Sequence, residues 1–394
     1  MKTRKRFLFV AIFLLFLSIV FVYPNIIFAQ AESNQKTEDE LWGVVSEQLD
    51  ALDLEALQEY VNSLEDYGSI NIKNQLMNYI KGEAVDYQGF WEMLLKIFFS
   101  KTAELLPVFA CIIAITLLSG LISMLGNTSN ATTSSHAIFM ITYASALIPL
   151  LVILIECFSQ SLYSIQEMKK QMDLIYPVML TLMAASGGSI SVMICKPAVA
   201  FFSTGIVAIV SSLVLPMTIL IVIFSMAGHF TKDLKLEKFG EFFKSINKWL
   251  LGLSVSVFGL FFTLQGFTAS AYDGVVKRAA KYAIGNGVPI VGGFLSGGFD
   301  LAIAGGVLIK NSLGSMGIFL MCGVIFQPLV LLLSVTLLLR LTCAVTQLLG
   351  NAHISDFLNE TANNLRYCTA GILMTAFLYF LSIVLMIYSS EALF

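Results

Sequence analysis

The sequence predicts an all-α fold: a polytopic helical membrane protein with about seven transmembrane helices (range six to eight), after a signal peptide and a short helical extracytoplasmic segment. Three observations predict it. Of 394 residues, 57% are hydrophobic and only 12% are charged, with a mean hydropathy of +0.83; soluble chains carry about 25% charged residues. Several apolar runs reach the roughly 20 residues that a helix needs to cross a bilayer core. Finally, the net charge of −3 is unevenly spread, with +4 in residues 1–31, fifteen acidic against five basic residues in 32–104, and fourteen basic against eleven acidic residues in 105–394.

Residues 1–31 open with the basic MKTRKR, continue as FLFVAIFLLFLSIVFVY and end in the small-residue motif Ala29-Gln30-Ala31. This is the pattern of a signal peptide, although the length of the apolar run keeps an uncleaved anchor open. Either form puts residue 32 onward outside the cytoplasm. Residues 32–104 form an acidic helical segment. Leu41, Val45, Leu49 and Leu52 recur at helical spacing, as do Leu57, Val61 and Leu64, then Leu76, Tyr79 and Ile80. Gly68, Gly82 and Gly89 punctuate it. The segment is too short for a large core of its own, so packing on a partner or on the membrane domain is expected. Residues 90–104 read as an amphipathic helix at the bilayer interface.

The membrane domain occupies 105–394. Spans are expected at 105–125 and 137–157, at 174–194 with an interruption at Gly187-Gly188, at 198–228 with a kink or split at Pro216, and at 249–271, 315–338 and 369–390. Residues 229–248 carry five lysines and three acids beside Phe239, Phe242, Phe243 and Ile246, which suits an interfacial helix. Topology does not close. The positive-inside rule wants 158–173 and 229–248 in the cytoplasm, but an external N-terminal segment followed by two spans puts residue 158 outside.

Residues 283–314, AIGNGVPIVGGFLSGGFDLAIAGGVLIKNSLG, are the most unusual stretch: nine glycines, one proline, one aspartate and one lysine in an apolar run. Three readings compete. Gly293 and Gly297 form a GxxxG, continued by Gly298, Ala302, Gly305 and Gly306, a small-residue face for close helix packing. Alternatively Gly285, Gly287 and Pro289 unwind the backbone into a re-entrant, pore-lining segment, tolerated where protein or water satisfies it. The third reading is an ordinary packed helix. Gly292 belongs to the same run. Asp300 near its middle is costly in hydrocarbon unless paired or wetted. Lys310 lies about 15 Å further along a helix, too far to pair with it, and could snorkel to an interface. Lys277, Arg278 and Lys281 precede the run as an interface anchor.

Much is excluded by what is missing. There is no phosphate-binding GxxxxGK[ST], no GxSxG and no HExxH, and His136, His229 and His353 are isolated. No paired base, nucleophile or ligand set is present, so the chain is read as no enzyme and as needing no cofactor or metal. The six cysteines form no CxxC and lie mostly in apolar runs, as buried small hydrophobes. No basic tract with interleaved aromatics points to nucleic acid.

The run QGFTASAYDGVVKRAAKYAIGNGVPIVGGFLSGGFDLAIAGGVLIKNSLG, residues 265–314, resembles the stage III sporulation protein AE family of endospore-forming bacteria, as does the plan of the whole chain up to NLRYCTAGILMT. The resemblance implies a multi-pass protein of the mother-cell membrane that engulfs the forespore. It implies partners among other membrane proteins of the same operon, an operon-encoded cytoplasmic ATPase and a forespore membrane protein. Together these form a secretion-like channel complex required for late forespore gene expression and spore formation. It carries over no catalytic residues. A conduit lined by 283–314, a scaffold using the same glycines for packing, and a stand-alone secondary transporter remain as alternatives.

Overall fold

A computed structural model describes residues 35–64, 71–81, 87–126, 132–230, 238–260, 292–348 and 352–388. The signal peptide, the second half of the 249–271 span, the basic Lys277–Lys281 run and the first part of 283–314 lie outside them. The described residues are helical throughout, with no strand among them. The elements are α1 (Gln35–Ala51), α2 (Glu55–Asn62), α3 (Ile72–Ile80), α4 (Tyr87–Gly126), α5 (Thr132–Ala185), α6 (Ser189–Ala200), α7 (Leu215–Phe230), α8 (residues 238–260), α9 (Gly292–Leu348), α10 (Ala352–Asn364) and α11 (Arg366–Tyr388). Five helical stretches among the described residues are long and apolar enough to cross a membrane: Leu95–Leu118, Met140–Ala185, Ser191–His229, Asp300–Leu348 and Ile354–Tyr388.

Several expected spans merge. α4 runs unbroken from Tyr87 through Pro107, so nothing separates the expected interfacial stretch 90–104 from the span. α5 is one helix of 54 residues, about 80 Å long, and it contains both 137–157 and the first part of 174–194. Residues 158–173 are not a loop because their inward positions are fully used: Ser161, Ile165, Met168 and Met172 are buried at helical spacing, with Ser164 and Gln171 beside them. Lys170 reaches back one turn to Glu167 at 2.5 Å, so a pair that reads as loop charge sits on a helix flank.

The break expected at Gly187-Gly188 is present. Gly187 takes φ 81°, a conformation that glycine adopts without penalty. The Gly188 N–H bonds Met183 O at 2.9 Å and the Gly187 N–H bonds Ala184 O at 3.0 Å, a Schellman ending for α5. Pro216 does not split the next run. Instead the backbone widens into π-helical turns at Phe201–Ile206 and Val210–Val214 before α7 begins. A proline clashes with the carbonyl four residues back, here that of Ser212, and a wider turn absorbs the misfit.

The chain divides into two compact units: residues 1–85 with 280–312, and 86–279 with 313–394. In the first, apolar faces of α1–α3 bury Val45, Leu49, Leu57, Val61, Ile72 and Leu76. Asn71 caps α3 by accepting from Asn74 N at 3.2 Å, and Gln58 Oε1 accepts from Ile72 N at 2.9 Å, tying α2 to α3.

The second unit is a helical bundle joined by polar side chains inside an apolar exterior. Tyr143 donates to Met226 O at 2.8 Å, Ser164 to Val324 O at 3.2 Å, and Thr102 meets Ser334 at 2.9 Å. Tyr176 pairs with Ser382. Helix α8 is inverted relative to a water-soluble helix: Asn247 and Ser254 are buried while Phe242, Trp249, Leu253, Val257 and Leu260 are exposed along one stripe. Such a helix is stable with its apolar side in lipid. Phe243 turns inward and stacks on Phe224, ring centroids 5.7 Å apart.

Candidate functional site: the glycine-rich helix and its neighbours

From Gly292 onward the glycine-rich run is continuous helix, the beginning of a 57-residue α9. Gly285, Gly287 and Pro289 precede the described residues. Gly292, Gly293 and Gly297 lie in the first two turns of α9. Gly298 and Asp300 are exposed, and a methyl built on Gly298 would meet nothing within 4 Å. Gly305, Gly306 and Lys310 are buried, Lys310 completely. The positions expected to act together therefore divide between an exposed group around Asp300 and a buried group from Gly305 to Lys310.

The buried group has a clear partner in α1. A Cβ on Gly305 would lie 3.0 Å from Gln48 Oε1, 3.4 Å from Val45 Cγ2 and 3.5 Å from Val44 Cγ1. Gln48 Nε2 donates to the Ala302 carbonyl at 2.9 Å. The missing side chain at Gly305 lets α1 come close enough for that side chain to reach the α9 backbone, the small-residue logic of close helix packing. Two turns after Gly305, Ser312 Oγ donates to Leu76 O of α3 at 2.9 Å. The acidic N-terminal segment thus builds its core together with the glycine-rich helix. Its charged positions point away: Lys73 pairs with Asp50 at 3.0 Å on the surface, and Lys81 sits 5.9 Å over the Trp42 ring. Lys310 lies inside, so it does not snorkel; a long amphipathic side chain on this face is enclosed by its surroundings.

In the second unit, three other glycines make closer approaches, and the sequence reading did not single them out. A Cβ on Gly314 would lie 2.7 Å from Ile387 Cδ1; on Gly317, 3.0 Å from Ile175 Cδ1 and 3.2 Å from Ile383 Cδ1; on Gly371, 2.9 Å from Val210 Cγ1 in the π-helical turn. The available signal was spacing: Gly314 and Gly317 are one turn apart on α9 and continue the small-residue row past the end of the glycine-rich run. A second missed feature is the junction of α7, α8 and α10. Glu360 accepts from Ser225 and faces Lys244 at 3.8 Å, while Asn247 Nδ2 reaches Thr218 Oγ1 at 3.1 Å and Val214 O at 3.3 Å. Among the described residues, no three of His, Cys, Asp and Glu gather as a metal site.

The profile of the family described as stage III sporulation protein AE matches residues 70–390. The stage III sporulation protein AE of Bacillus subtilis (strain 168) is 24% identical over 394 residues, covering 97% of each chain. No solved structure matches. The match takes in every element from α3 through α11, including the whole glycine-rich helix, and the chain belongs to the stage III sporulation protein AE family.

Proposed function

We propose that this sporulation protein is a membrane subunit of a secretion-like channel complex in the mother-cell membrane around the forespore, needed for late forespore gene expression and spore formation. Membership of the family supports the sporulation role. The observation that carries the subunit reading is α9. A single unbroken helix contributes residues 292–312 to one compact unit and 313–348 to another. The first unit keeps an acidic surface around the core it shares with the glycine-rich helix, a surface suited to holding partner proteins. The partners on this reading are other membrane proteins of the same operon, an operon-encoded ATPase and a forespore membrane protein.

The packing of Gly305 against α1 favours assembly over a water-filled path as the task of the glycine-rich helix. The test is replacement of the chromosomal gene in a spore former by Gly305→Leu and, separately, Asp300→Asn. Heat-resistant spores and a late forespore reporter are measured, and partners are co-purified. In a scaffold, Gly305→Leu loses spores and partners together while Asp300→Asn sporulates normally. In a conduit, Asp300→Asn loses the reporter while partners are retained. Saturable solute uptake by the purified protein alone in vesicles would instead identify a stand-alone transporter.

A further inference from the structure

Composition alone assigns residues 292–312 to the bilayer, but two observations assign them to water. The first is their company. These residues share a core with α1 and α3, whose exposed faces carry Asp39, Glu40, Glu47, Asp50, Glu55 and Glu59. Such a surface is strongly disfavoured in hydrocarbon. The second is the placement of exposed apolar side chains. Among the described side chains, the large exposed hydrophobics of α9 are Leu333, Leu337, Leu341 and Leu348, and residues 300–312 and α1–α3 have none. The described part of this stretch thus presents no lipid-facing stripe.

We propose that residues 292–312 of α9 lie in water on the same side of the membrane as α1–α3, and not in hydrocarbon. Length agrees: 57 residues make a helix of about 85 Å, against a core of about 30 Å. Asp300 is then a charge at a water-facing position, and its presence in an apolar run needs no intramembrane chemistry.

The test uses the full-length protein in right-side-out and inverted membrane vesicles, with a membrane-impermeant maleimide. Asp300→Cys and Glu47→Cys are each compared with the parent, whose own cysteines set the background. Labelling at 300 and at 47 should rise several-fold over the parent in vesicles of the same orientation. A cysteine at 300 that reacts only after detergent, or only from the face opposite 47, overturns the proposal. The pair Val45→Cys with Gly305→Cys guards against misfolding: oxidation in membranes should link the two, and failure to link would remove the packing on which the assignment stands.

Discussion

The Ala302 carbonyl of α9 accepts a hydrogen bond from Gln48 Nε2 of α1 at 2.9 Å, joining positions 254 residues apart in the chain. Gly305, one turn later, is where α1 presses closest. Together they make the acidic segment and the glycine-rich helix one folding unit, so each should depend on the other for protection.

Gly305→Leu must displace Val44, Val45 or Gln48 and should destabilise the first unit by about 1–3 kcal/mol. Limited proteolysis would show faster cleavage within α1–α3. Gly298→Leu is the matched control, because nothing lies within 4 Å of its Cβ position, and it should leave the cleavage rate unchanged. Equal sensitivity in both variants would count against the packing described.

Gly371→Ala places a methyl 2.9 Å from Val210 Cγ1. Valine is stiff at χ1, and it sits on the π-helical turn, so strain is expected. The cost should be about 1–3 kcal/mol, read as a lower melting temperature of the purified protein in detergent. Gly252→Ala, with open space around it, should instead raise stability by roughly 0.4–1 kcal/mol through the unfolded chain.

Asn247 is buried and bridges α8 to Val214 O and Thr218 Oγ1 of the neighbouring run. Asn247→Leu should cost about 0.6 kcal/mol, the average for hydrogen bonds between membrane helices, and at most about 1.7 kcal/mol. Thr218→Val should be partly redundant with it. A double-mutant cycle on detergent melting would show coupling between the two, and strict additivity would mean the contact contributes nothing.

Lys244 and Glu360 are 3.8 Å apart with side chains 26% and 35% exposed. Partial exposure screens the pair, so Lys244→Met should change stability by only about 0.2–1 kcal/mol. Ser225→Ala removes the hydroxyl that Glu360 accepts from and should cost about 0.5–1.5 kcal/mol. If Lys244→Met were the costlier of the two in the same melting assay, the ion pair from α8 would hold α10 more strongly than the hydrogen bond from α7 does.

Helix existence was legible wherever an apolar period or run was long. The α1 face of Val45 and Leu49, the α3 face of Leu76 and Ile80, and the stop at Gly187-Gly188 all follow from local rules: 3.6-residue periodicity and a glycine free to take positive φ. Where local signals conflicted, neighbours decided. Residues 158–173 look like a charged loop until Ser161, Ile165 and Met168 are seen buried. Pro216 looks like a break until widened turns accommodate it.

The sequence by itself determined that this is a helical, membrane-class chain with a polar N-terminal segment, and singled out residues 283–314 by their composition. Those properties are sums over composition and period, which any arrangement of the helices would keep. Only the tertiary structure decided what the glycines pack against. Gly305 meets α1, Gly314 and Gly317 meet α11, and Gly371 meets a π-helical turn. A glycine carries no side chain to announce its partner; its effect is the distance it permits, and that distance belongs to two helices at once.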